Sequence, residues 1–153
     1  MLYCSVKNET SSGLVQENEQ ARQRLNEVRG ALLDLHKVLL ASERISYEQA
    51  FGKIGSSYQF LQMLTTDPWF VWLQPMTQLI ATTDELLDGE EPLTASAVET
   101  LIGRIKSLLM PTPEGEGFSK HYDDALQRDP DLVYAHACVS RMIRSQARRP
   151  AGQ

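Results

Sequence analysis

Cysteine is scarce in this sequence: Cys4 and Cys138 are the two in 153 residues. Thiols so far apart make neither a disulfide framework nor a zinc site. There are three histidines, His36, His121 and His136, widely scattered. Long apolar runs are missing. The longest, around Trp69 to Leu73, is far too short to span a bilayer. Excess positive charge is missing too. A net charge of −5 argues against a nucleic acid as partner, because phosphate recognition needs a basic surface. It suits a cytoplasmic protein. The start, MLYCSVKNETSS, has no basic opening and no apolar stretch, so no secretory signal is expected. No alternating strand pattern competes anywhere along the chain.

What is present is helical periodicity. Residues 1–12 are polar and patternless and are expected to form a disordered tail. From about Leu14 a long helix begins. Leu14, Ala21, Leu25, Val28, Leu32, Leu35 and Leu39 keep three-four spacing once Asn18 is allowed in the seam. Glu17, Arg22, Arg24, Glu27, Arg29 and Asp34 fall on the other faces, a solvated mixed-charge surface. Gly52 and Gly55 end this helix. Ser56 or Ser57 then caps a short second helix, Tyr58 to Leu64.

Residues 67–88, DPWFVWLQPMTQLIATTDELLD, look like the centre of the fold. Asp67 and Pro68 read as a capping carboxylate and a first-position proline. Trp69, Trp72, Met76, Leu79 and Leu86 follow on one helical face, with Phe70, Leu73, Ile80 and Leu87 beside it. A helix apolar nearly all round must be wrapped by others, so Trp69 and Trp72 are expected to be buried. Pro75 lies inside this stretch and predicts a kink, because it removes a bond to the Val71 carbonyl. Gly89 closes the helix.

Thr94 caps a fourth helix, about Ala95 to Met110, with Val98, Leu101, Ile102, Ile105, Leu108 and Leu109 buried. The loop PTPEGEG, residues 111–117, precedes a short helix, Phe118 to Gln127. Asp129 and Pro130 start the last helix, which runs to about Ala147. The expected fold is all-α: a mostly antiparallel helical bundle of four longer helices plus two short ones. Residues 13–147 form its single domain, and residues 148–153 a disordered tail. The block DPWFVWLQP resembles that of small bacterial helical proteins, a likeness that carries no activity with it.

Three groups of residues are candidates for function. His36, Glu43 and Tyr47 share a face of the first helix, and His136 lies on the apolar stripe of the last. Together they could line a buried polar site, or a metal site of the kind bundle interiors host. The spacing argues for the polar reading. A ferritin-like di-iron site needs Glu-x-x-His pairs, and a hemerythrin-like one needs more histidines. No metal or cofactor is therefore expected. His121 and Asp124 are neighbours on the short fifth helix.

The second group is aromatic. Tyr58, Phe60, Trp69, Phe70 and Trp72 follow closely after Phe51. Aromatics at a helix junction mostly pack a corner, but so many in one place can leave a partner or ligand surface exposed. The third is the basic end: Arg141, Arg144, Arg148 and Arg149, with no acid after Asp131. Cations near a helix C-terminus complement its dipole without any partner. The loop with Gly115 and Gly117 lacks the Lys-Ser/Thr of a phosphate loop and carries Glu114 and Glu116, so it is not one. No catalytic constellation stands out. The expected function is a non-enzymatic interaction or regulatory protein that binds a protein partner or self-associates as a homo-oligomer through its first helix. The alternative is a metal or small-ligand site lined by His36, Glu43, Tyr47 and His136.

Overall fold

The computed structural model describes the backbone of residues 2–147 and side chains from 12 to 145. It is all-α, with no strand among the described residues. The elements are α1 (Leu2–Phe51), α2 (Ser57–Thr66), a 3-10 turn (Val71–Leu73), α3 (Gln74–Asp88), α4 (Ala95–Leu108), α5 (Phe118–Arg128) and α6 (Pro130–Ala147). None is long and apolar enough to cross a membrane.

At 50 residues, α1 is about 75 Å long and touches α3, α4, α5 and α6. It begins at Leu2, so residues 2–12, where a disordered tail is expected, are helical. The tail assigned to 148–153 lies outside the described residues. The seam residues Ala21, Leu25, Val28, Leu32, Leu35 and Leu39 are all buried. Leu14 is not; it is 62% exposed, as the seam runs past the body. Asn18 marks that edge, its Oδ1 accepting from the Leu93 amide at 2.7 Å.

Cross-helix partners give the directions of packing. Along α1, Arg22 meets Leu87 and Gly89, Arg29 pairs with Asp84, and His36 faces Thr77. The α1 numbers rise as the α3 numbers fall, so the two helices are antiparallel. Glu17 meets Ala95 and Arg24 pairs with Glu99, so α4 runs parallel to α1. This order is compatible with the expected bundle.

Local chemistry sets the ends. At Gly52, φ is +96°, and its N–H donates to the Glu48 carbonyl as α1 stops. That left-handed conformation suits glycine. Ser56 Oγ accepts from the Gln59 amide and Thr94 Oγ1 from the Ala97 amide, each at 3.1 Å. Gly89 closes α3, donating to the Glu85 carbonyl.

The central segment corrects the sequence reading. Asp67 and Pro68 do not begin the helix. Asp67 Oδ1 accepts from the Trp69 amide at 2.9 Å, forming a turn, and the 3-10 turn precedes α3. Pro75 therefore lies in the first turn of α3. Its missing N–H has no α-helical partner to lose there, so the proline stands at the start of a helix and not inside a longer one. Phe70, not Trp69 or Trp72, is the wholly buried ring of this stretch; both tryptophans are half-buried. The turn sends the two indoles to different neighbours.

Candidate functional site

The aromatic residues form two networks. The first joins the end of α1 to the turn before α3. Tyr47 contacts Phe51, Trp69 and Phe70, with ring centroids 5.0, 5.9 and 5.4 Å away. Phe60 of α2 meets Phe70 edge-on at 5.5 Å. The Arg44 guanidinium covers the Phe60 ring at 5.0 Å and bonds Glu48, an arrangement that holds the cation by both charge and ring quadrupole. Glu48 also accepts from the Ile54 amide at 3.1 Å, tying down the chain after Gly52.

At this corner, large apolar or aromatic side chains of α1 and α2 are open to solvent. Phe51 is 67% exposed, Tyr58 71% and Leu61 63%. Helix α2 buries no residue fully. Its Phe60, Met63 and Leu64 lean on the core, which leaves Tyr58 and Leu61 on the far side. Of the aromatic candidates, Phe70 is core, Phe60 and Trp69 are half-buried, and Tyr58 faces solvent.

Trp72 belongs to the second network. It stacks on His121 at 5.1 Å and meets Phe118 at 5.3 Å. Phe118 stacks on Tyr122 at 5.4 Å. The fully buried Tyr122 places its hydroxyl 2.7 Å from His136 Nδ1. Burial pushes the Tyr122 phenol well above its ordinary range and lowers the pKa of His136. A neutral phenol and a neutral imidazole can each donate or accept, so the tautomer of His136 sets which of the two carries the proton between them.

The four residues assigned to a shared polar lining go to separate places. His36 Nε2 faces Thr77 Oγ1 at 3.4 Å, and burial lowers its pKa. Tyr47 is in the first aromatic network and His136 in the second. Buried Glu43 accepts from Arg128 Nη2 at 2.6 Å, and the same nitrogen lies 3.3 Å from Ser42 Oγ. No hydrogen bond or ring contact joins any two of the four among the described residues. Nor do three or more His, Cys, Asp or Glu side chains gather there as a metal would need. A shared face on α1 could not reveal this, because His36 and Glu43 meet different helices along its length.

His121 is exposed and held by Trp72, and Asp124 is exposed. In the basic end, Arg141 reaches Cys138 Sγ at 3.7 Å and Arg144 is exposed; Arg148 and Arg149 lie outside the described side chains. An open groove of about 730 Å³ runs between α3 and α4. Gly103, Arg104, Ser107 and Ser119 are among its lining residues. Arg104 is its one charged lining residue.

Arg128, Arg44 and Leu61 were not among the sequence candidates. Arg128 and Arg44 carry no local signal of their roles, which arise from partners on other elements or another turn. Leu61 was legible: once Phe60, Met63 and Leu64 face inward, three-four spacing leaves Tyr58 and Leu61 outward. The class defined by fold and site is thus an all-α protein with a partly exposed aromatic corner. Set against family models, curated proteins and solved structures, the chain matches none of them.

Proposed function

We propose that this is a non-enzymatic interaction protein that docks a protein partner on the corner formed by the end of α1 and α2. The observation that carries this reading is the exposure of Phe51 on α1 and of Tyr58 and Leu61 on α2, the two helices that the first ring network joins. Protein-binding patches are built this way, with aromatic anchors on a preformed support. The support is the ring cluster beneath: Tyr47, Trp69 and Phe70. The net charge of −5 favours a cytoplasmic setting and a protein partner over a nucleic acid.

The test is affinity purification from the native cell with mass spectrometry, run beside Tyr58→Asp and Leu61→Asp. Both side chains are exposed, so the variants keep the fold. A partner retained by the parent and lost from both supports the corner. A partner retained equally by all three removes it.

Self-association through α1 is a second reading, favoured by Leu14 and Val15, both more than half exposed where the seam leaves the body. Sedimentation of the parent against Leu14→Asp decides it: an oligomer that the substitution dissociates is the supporting result.

A further inference from the structure

The Nε1 of Trp69 is buried and has no hydrogen-bond partner. An indole N–H is a donor only. Buried without an acceptor, it forfeits the bond to water that it makes in the unfolded chain. Native structures leave few such groups, and each calls for a reason. The rings packed on Trp69 are Tyr47 at 82° and Phe51 at 90°, both edge-on. A ring face in either contact supplies at most a weak N–H/π partner.

The two covering rings differ in how firmly they are held. Tyr47 is wedged against Phe70, which is completely buried. Phe51 is the last residue of α1, is mostly exposed, and is followed by the left-handed Gly52. Its ring can swing away without opening the core. Moving it would open the side of the Trp69 indole that its ring meets edge-on at 5.7 Å.

Resting on the docking reading above, we infer that Trp69 Nε1 is the polar anchor of a binding subsite at this corner. The occupant is an apolar side chain that displaces Phe51, together with the neutral carbonyl oxygen of its own peptide group, which accepts from Nε1. A carboxylate fits less well. Arg44, the cation held against this cluster, is already engaged by Glu48 and by the Phe60 ring. The subsite thus reads one hydrophobic residue and its backbone carbonyl in a partner chain.

The experiment titrates N-acetyl-phenylalaninamide into the full, nitrogen-15-labelled chain. The indole N–H signals of the two tryptophans are followed, with Trp69 assigned by Trp69→Phe or, if that variant does not fold, by elimination with Trp72→Phe. Toluene serves as the probe without an acceptor. The expected result is a downfield move of the Trp69 indole proton with the amide and none with toluene. Trp72, in the other network, stays unmoved. Trp69→Phe should bind the amide about fivefold more weakly, the share of one hydrogen bond, and toluene equally well.

An indole proton that does not respond while Phe51 and Tyr58 signals shift would overturn the subsite and leave the docking surface standing. So would a Trp69 indole proton far upfield in the free protein, since a ring face would then already hold the donor. If neither probe disturbs Phe51 or Tyr58, the subsite and the docking surface fall together.

Discussion

The Tyr122 hydroxyl, on a side chain with no solvent exposure, shares a hydrogen bond with His136 Nδ1 across 2.7 Å and so fixes α5 against α6. Replacing Tyr122 by Phe keeps the ring stacked on Phe118 and removes only the hydroxyl. His136 is half-buried, so its freed nitrogen regains water only in part. The expected loss is about 0.5–1.5 kcal/mol in urea unfolding, the ordinary net worth of such a bond. An unchanged urea midpoint would show that the bond contributes nothing.

Acid should weaken the fold within the histidine range. Burial lowers the folded-state pKa of both His136 and His36 below 6.5. Between the lowered value and 6.5 the unfolded chain binds more protons than the folded one, so stability rises with pH. This contribution is full above the unfolded pKa and is lost as pH falls through the folded one. Melting temperatures recorded from about pH 7.5 down to about pH 5.5, above the carboxylate range, should fall. They should fall less steeply in His136→Asn. A flat parent profile would contradict the buried, neutral state of both rings.

Arg128→Ala should cost more than Glu43→Gln. Glu43 is 5% exposed, and losing Arg128 strands its carboxylate beside Ser42. Arg128 itself is partly solvated, which moderates the effect, so about 1–3 kcal/mol is expected. Glu43→Gln keeps an oxygen for Arg128 and removes the buried charge, so its loss should be smaller. Denaturant midpoints of the two variants decide the order, and the reverse order would mean that the charge itself stabilises the contact.

Pro75→Ala should be nearly silent, with a loss below about 1 kcal/mol from greater freedom of the unfolded chain. The proline stands where an unsatisfied N–H would otherwise be. Met76→Ala, one residue on and fully buried, should cost about 2–5 kcal/mol. A large loss at Pro75 would argue that the turn before α3 depends on it.

Arg22 is the last case. Its Nη1 donates to the Leu87 carbonyl at 2.6 Å, and its Nη2 to those of Gly89 and Glu91 at 3.0 and 3.3 Å. These carbonyls are at or beyond the end of α3, where intrahelical donors run out. Lysine offers a point charge rather than a fork, so Arg22→Lys should lose about 1 kcal/mol of stability. Faster amide exchange in the last turn of α3 should accompany it. Equal exchange rates would show that water serves these groups as well.

Much of the fold was legible because it is written locally. The α1 seam, the Thr94 cap, the Gly52 stop and the Asp129–Pro130 start all depend on residues within a turn or two. The same Asp-Pro pair at 67 and 68 misled, because tertiary packing decides there. Phe70 turns fully into the core and Trp69 packs on Tyr47 and Phe51, which a straight helix from Pro68 does not allow. The site was legible only as composition. Aromatic density around residues 51–72 pointed to the corner, yet which rings face water follows from how α2 lies. Glu43's need for a partner could be stated from burial; that the partner is Arg128, 85 residues away, could not.

Because α3, α4, α5 and α6 all touch α1, the order of synthesis runs against the order of need. The seam from Ala21 to Leu39 emerges first and stays uncovered until its later neighbours are made. Helix α6, which meets α1 over its most extensive contact, is the last of these elements. The nascent chain therefore carries its largest sticky stripe longest, and its helices dock only after closing long loops. A stalled or C-terminally clipped chain would not be a smaller version of this protein. It would be an open α1 seam looking for another helix to cover it.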